Sequence, residues 1–134
     1  MATISFRTAL RTARAQAIIT DAGATGAKVK LYNGTQPANA AAALSGNTLL
    51  ATLTWAAAPI GTATSGTLDW DEASMSQSNG SHVAGTPTFL DVTTSADAVV
   101  ARIPLGAGGF TWTGAVATGQ NVTLTTLVFT EGNA

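Results

Sequence analysis

Polar and apolar positions follow two different periods along this chain, and the change falls near Gly26. In residues 6 to 19, Phe6, Leu10, Ala13 and Ala17 recur at intervals of three and four, within a stretch rich in Ala, Arg, Gln and Leu. That spacing and composition predict a helix of about four turns, with those four side chains as its apolar stripe. Ser5 or Thr3 is placed to cap its start, and Asp21-Ala22-Gly23 with Gly26 to end it.

From Ala27 onward the period is two. Residues 27 to 33 set Val29 and Leu31 against Lys28, Lys30 and Tyr32 and close on Asn33-Gly34, a half-buried strand leading into a turn. Residues 49 to 55, LLATLTW, set Leu49, Ala51, Leu53 and Trp55 against Leu50, Thr52 and Thr54. Further short strands are expected at 66 to 72 with Leu68 and Trp70 inward, and at 86 to 94. Two more are expected at 98 to 105, with Val99, Ala101, Ile103 and Leu105 inward, and at 109 to 115, with Phe110 and Trp112 inward. In the last, 121 to 130, Val122 and Leu124 have one parity and Leu127 and Phe129 the other. A bulge at Thr125-Thr126 would return all four to one face; without it the strand is buried on both sides.

Seven or so short strands bounded by Gly, Pro, Asn or Ser predict a mainly β protein. The expected fold is an antiparallel β-sandwich, jelly-roll or Ig-like, with one N-terminal α-helix outside the sheets. The expected organisation is an N-terminal arm and helix over 1–25 and a single β-sandwich domain over 26–134. The loops at 34 to 47 and 73 to 85 exceed ordinary turns, and long loops on a small sandwich are contact surfaces or disordered.

Composition sharpens this picture in one respect. Only 10% of residues are charged and the formal net charge is -1, so Thr, Ser, Asn, Gln, Ala and Gly must make up much of the surface. Such a surface fits a protein partly covered in its working state by copies of itself or by a partner; it also fits a plain Thr-rich soluble domain. With no cysteine, disulfides and thiolate chemistry are excluded. No window approaches the ~18 apolar residues of a membrane span. Arg7, Arg11 and Arg14 interrupt the apolar residues near the start, so no secretory signal is read there. The expectation is a soluble protein made in the cytoplasm.

Candidate chemistry is sparse. His82, the only histidine, lies in a Ser/Gly/Asn-rich stretch near Ser78 and Ser81, without a G-x-S-x-G elbow, and is expected to be a solvated loop residue. Asp69, Asp71 and Glu72 form the one carboxylate cluster. Asp69 and Asp71 share a strand face and could offer hard oxygens to a cation, but no metal-site spacing accompanies them, and an outward acidic strand edge is the expected role. GAGG at 106 to 109 lacks the Lys-Ser/Thr of a phosphate loop and reads as a turn. No catalytic residue, cofactor or metal is predicted. Trp55, Trp70 and Trp112 fall on inward faces, as core residues more than as platforms for bases or sugars.

The charges are unevenly spread. Residues 1 to 30 hold Arg7, Arg11, Arg14, Lys28 and Lys30 against Asp21, whereas the rest holds Arg102 against Asp69, Asp71, Glu72, Asp91, Asp97 and Glu131. Arg7, Arg11 and Arg14 fall at i, i+4 and i+7 on one helical face. They are too few, in a chain of pI about 5.6, for general affinity to nucleic acid. The helix can instead lie across an acidic sandwich, its own or a neighbour's, or dock on an acidic partner, where arginine suits bidentate carboxylate pairing. Equally, it can be a solvated amphipathic helix whose Ala-rich face caps one end of the sandwich.

A short Ala/Arg helix, then GAKVKLYNGTQPA, LLATLTW, a Gly/Thr-rich middle and a terminal VTLTTLVF strand together resemble small virion structural proteins of tailed bacteriophages, most of all the head decoration or cement type. The resemblance covers most of the chain in style and order. It implies a non-enzymatic β-sandwich, dimeric or trimeric, made in the host cytoplasm. Many copies would bind the outside of the major capsid protein lattice and stabilise the head. On that reading Arg7, Arg11 and Arg14 contribute to attachment. A tail or baseplate component shares this style, and a carbohydrate-binding module using an exposed tryptophan is the reading from another class.

Overall fold

A computed structural model of the chain describes residues 5–77, 79–106, 115–124 and 127–130. It is mainly β, with one helix near the N-terminus, α1 (Thr8–Ala22). The strands are β1 (Lys28–Asn33), β2 (Thr48–Trp55), β3 (Gly61–Thr64), β4 (Thr67–Trp70), β5 (Met75–Gln77), β6 (Phe89–Thr93), β7 (Val99–Pro104) and β8 (Val128–Thr130). They form a five-stranded sheet in the order β5-β2-β1-β6-β7 and a three-stranded sheet in the order β3-β4-β8. Every pairing is antiparallel, giving the expected sandwich. The strand predicted at 109 to 115 lies outside the described residues, apart from Ala115.

Alternation along the strands builds the core between the sheets. Val29, Leu31, Leu53, Trp55, Leu90 and Val92 from the larger sheet meet Leu68 and Trp70 from the smaller one. At its centre the rings of Trp55 and Trp70 stack at 5.0 Å, and the Trp55 indole N–H donates to the Asp71 carbonyl at 2.8 Å. Burying two indoles in contact removes several hundred Å² of apolar surface from water, at about 25 cal/mol per Å².

Strict alternation fails at two places, each a bulge. In the β1–β2 ladder Leu31 pairs with Ala51 but Tyr32 with Leu49, so Leu50 is the extra residue. The slip buries Leu50 and turns Leu49 outward, the reverse of the simple alternating pattern. In the β6–β7 ladder Val92 pairs with Ala101 and Thr93 with Val99, so Val100 rather than Val99 packs on the core. The parity problem in 121 to 130 also resolves: Val122, Leu124 and Leu127 are all buried, while Val128 is exposed. Strand pairing is confined to Val128–Thr130, with 121–124 irregular; Thr125 and Thr126 lie outside the described residues.

The helix packs against β3, β4 and β7, touching both sheets along one side of the sandwich. Its buried stripe is Ala15, Ile19 and Ala22 with half-buried Ile18; Leu10, Ala13 and Ala17, expected inward, are exposed. The two isoleucines offer more apolar area than the alanines of the predicted stripe, and one hydrogen bond and one packing contact fix the rotation. Thr12 Oγ1 accepts the Gly66 N–H at 2.8 Å, and Arg11 lies against Gly66. Gly66 belongs to the two-residue β3–β4 turn, where Ser65 has φ 52° and Gly66 φ 81°, the twist of a type I′ hairpin. Arg7, not Ser5 or Thr3, holds the N-cap position, without a side-chain capping bond; Gly23 ends the helix, its N–H bonded to the Ile19 carbonyl.

Candidate functional site

Side chains that carry chemistry fall into four regions. On α1, Arg7 and Arg14 are exposed, whereas Arg11 is half-buried against the β3–β4 turn. The Arg14 guanidinium sits 5.3 Å from the Phe6 ring centroid. The predicted basic face is therefore divided: one member packs on the sandwich itself, and two stand on the outer surface.

The second region is the outer face of the five-stranded sheet. Asp91 on β6 and Arg102 on β7 are cross-strand partners, joined by a bidentate pair of 2.7 Å bonds, with side chains 1% and 3% exposed. The remaining guanidinium nitrogen donates to the carbonyls of Asn39 and Ala42, at 2.9 and 3.0 Å. Arg102 thus ties the 34–47 loop down over the sheet, and hydrogen bonding to Asp91 raises its pKa above the ordinary arginine value. Asn47 completes the loop, its amide donating to the carbonyls of Asn33 and Thr35. Tyr32, expected among the outward polar residues, is buried here and stacks on Phe89 at 5.3 Å; burial, then Asp91, pushes its phenol pKa up.

Beside this pair, Asp97 at φ 68° in the β6–β7 turn receives Lys28 at 2.8 Å and Lys30 at 2.9 Å. Hydrogen bonds from Lys28 and then Lys30 hold its carboxyl below the usual range. Lys28 and Lys30 share the basic first 30 residues with the helix arginines, and the rest of the chain is acidic. In the fold they face a carboxylate from the acidic body.

The third region, the long loop expected at 73 to 85, corrects the expectation that His82 is a solvated loop residue. That stretch contains β5 and two short 3-10 turns, and His82 is only 3% exposed. His82 Nδ1 lies 2.9 Å from the Gln120 carbonyl, which can only accept, so Nδ1 carries the proton; Nε2 is buried with no partner among the described residues. Nearby, the Gln77 side chain binds both backbone groups of Val122, donating to its carbonyl at 2.8 Å and accepting its N–H at 2.7 Å. Glu72 Oε1 accepts the Leu127 N–H. The 72–82 segment thus grips the C-terminal segment at 120, 122 and 127 through side chains.

The fourth region is the carboxylate cluster. Asp69 is exposed on β4, which is the middle strand of its sheet and not an edge; Asp71 lies beyond the strand end, and Glu72 turns toward Leu127. Among the described residues no group of three or more His, Cys, Asp or Glu is placed to hold a metal ion. Trp55 and Trp70 are buried, so neither is a platform for a ligand, and Trp112 lies outside the described residues.

Sequence reasoning passed over Gln77, Asn47 and Arg102. The last was legible: Arg102 is the lone base of the acidic body, and pairing the two strands about the 94–98 turn sets it opposite Asp91. Gln77 and Asn47 carry no local signal, because their partners are backbone atoms 45 and 14 residues away. No family model, no curated protein and no solved structure matches this chain.

Proposed function

We propose that this protein is a non-enzymatic virion structural protein of the head decoration type, binding the outside of a major capsid protein lattice in many copies. The observation that supports this reading is the disposition of charge. Lys28, Lys30, Asp97, Asp91 and Arg102 pair within the fold, in a chain where only 10% of residues are charged. The outward residues are largely Thr, Ser, Ala and Asn, with Leu10, Leu44, Leu49, Val83 and Val128 exposed among them. A surface with so little charge gains from being covered by neighbours, and repetition on a lattice lets a weak contact per copy act strongly. The sandwich is the body of the unit, Arg7 and Arg14 are its outward attachment residues, and Arg11 positions the helix.

The test is to separate heads from tails of purified particles and measure this chain in each by mass spectrometry with a copy estimate. Many copies in the head fraction are expected. A few copies confined to tails would replace this reading with that of a tail component, and absence from both would end the virion reading. On capsids, the Arg7→Ala/Arg14→Ala double variant should show reduced occupancy at a temperature well below its own melting temperature. Unchanged occupancy would remove the arginines from the attachment.

A further inference from the structure

A pocket of about 370 Å³ lies on the outer face of the five-stranded sheet, between the strands and residues 40–44 of the loop that Arg102 ties down. At its rim two ammonium groups share one carboxylate. Lys28 and Lys30 both reach Asp97 Oδ1, at 2.8 and 2.9 Å, so their nitrogens lie within about 6 Å of each other and repel. Asp91 does not offset them, because both of its oxygens are taken by Arg102. Among the described residues the charges of this region are therefore three positive against two negative, one anion short of balance. The Lys30 side chain lines the pocket and is only 17% exposed, so water screens the excess incompletely.

The Tyr32 hydroxyl is the second polar group available in the wall. In the β1–β6 ladder Lys30 pairs with Asp91 and Tyr32 with Phe89, so the lysine and the tyrosine leave the sheet on the same face, two residues apart. Stacking on Phe89 leaves Tyr32 7% exposed. Among the described residues, the buried side-chain nitrogen and oxygen atoms without a hydrogen bond are Trp70 Nε1 and His82 Nε2. The Tyr32 hydroxyl makes no hydrogen bond to those residues either, yet is not one of those two atoms, so the surface that Tyr32 retains includes its hydroxyl. Burial, then Asp91, raises its pKa, and at neutral pH it has a proton to donate.

The rest of the lining narrows the ligand. A cation would meet carboxylates already committed to lysine or arginine, and a neutral molecule would leave the excess charge in place. Residues 40–43 are all alanine, and with Leu44 and Val99 they form an aliphatic wall that an inorganic anion would leave unused. The volume is at the small end of small-molecule sites, about 300–1,000 Å³.

We infer that this pocket binds a short-chain aliphatic monocarboxylate, its carboxylate between Lys30 Nζ and the Tyr32 hydroxyl and its hydrocarbon chain against residues 40–44 and Val99. The site shares no residue with the proposed attachment and stands or falls separately from the virion reading.

Tyr32 is the only tyrosine, so a ¹³Cζ label gives a single NMR signal at the site. The full-length protein so labelled is titrated at constant ionic strength with acetate, propionate and butyrate, and with butyramide and butylamine as neutral and cationic counterparts. The expected result is a saturable shift with butyrate, an affinity that rises about fourfold for each methylene added, and no saturable shift with butyramide or butylamine. Lys30→Met and Tyr32→Phe should each weaken butyrate binding by about tenfold, the second being read from the amide signals of residues 40–44. Asp97→Asn removes the competing carboxylate and leaves both lysines unmatched, so it should tighten binding, which a purely structural role for these residues would not do. The ligand series on the unaltered protein decides the matter where a variant does not fold. The inference is overturned by the lack of a saturable shift with butyrate tenfold above a dissociation constant of about 1 mM, or by a butyramide response equal to that of butyrate. An affinity indifferent to chain length, or weaker binding in a folded Asp97→Asn variant, overturns it as well.

Discussion

Replacing Gln77 tests whether the C-terminal segment is held by a side chain that stands in for a strand. The Gln77 amide occupies both the N–H and the carbonyl of Val122, a residue that is itself buried. Gln77→Ala leaves one donor and one acceptor unpaired, each worth about 1–3 kcal/mol when buried. The bonds are only part-buried and water can reach some of this edge, so the lower end applies and the expected loss is about 2–3 kcal/mol. For a chain of this length the unfolding entropy near the midpoint is about 0.28 kcal/mol/K, so the melting temperature should fall by roughly 7–11 °C. Gln77→Glu separates the hydrogen bonds from the volume. At neutral pH the new carboxylate still accepts the Val122 N–H but opposes the Val122 carbonyl with a second acceptor, whereas the protonated carboxyl can donate to it. Its folded pKa is therefore raised, and the deficit relative to wild type should be largest at pH 7 and shrink as pH falls toward and below the carboxylate range. Urea unfolding followed by tryptophan fluorescence, run on wild type and both variants across that range, gives the differences directly. A Gln77→Ala variant within about 0.5 kcal/mol of wild type, or a Gln77→Glu deficit independent of pH, would refute the argument.

Other positions give equally definite outcomes. Arg102→Met should destabilise by about 3–5 kcal/mol by leaving the Asp91 carboxylate buried and unpaired, and should expose the 34–47 loop to limited proteolysis; Asp91→Leu/Arg102→Met should recover much of the stability but not the protection. Asp97→Asn keeps a residue that tolerates its positive φ while removing the charge that Lys28 and Lys30 lower in pKa. That contribution is present above the ordinary carboxylate pKa and is lost as pH falls through the depressed folded value. Wild type and variant should therefore differ in urea midpoint at pH 7 and converge in acid, less sharply in high salt. Gly66→Ala should cost about 1–2 kcal/mol from left-handed backbone strain alone, with a further loss because the new methyl would meet Arg11 at 3.0 Å. A melting temperature equal to wild type would show that the helix does not rest on this turn.

How much of this was legible depends on where each partner lies. Alternation located β1, β2, β4 and β7 because one face of each meets the core, and Leu68 and Trp70 could be oriented from parity alone; β6, buried at every position, was marked only by the turn residues around it. β3 and β5 escaped: GTAT has almost no apolar contrast, and Met75–Gln77 is three residues long. The two bulges were invisible because a one-residue slip is decided by the partner strand, which is why Leu49 and Val99 were misplaced and Leu50 and Val100 overlooked. His82 misled for a related reason. A Ser/Gly/Asn-rich neighbourhood describes solvated loops in general, but here Val83 N–H donates to the Leu50 carbonyl at 2.8 Å and draws the segment onto β2. The helix was found and its ends nearly so, yet its rotation depended on Thr12 and Arg11 meeting Gly66, a contact across 54 residues.

Arg102 holds the 34–47 loop by the carbonyls of Asn39 and Ala42, which every residue type except in backbone geometry presents alike. Most side chains of that loop can therefore be exchanged without loosening it, so long as Asn39, Asn47 and the path of the main chain remain. Substitution in Ala40, Ala41, Ala43 or Leu44 changes what the loop displays while the sheet beneath is undisturbed. The chemistry that the loop displays is thereby separable from the stability of the sheet beneath it.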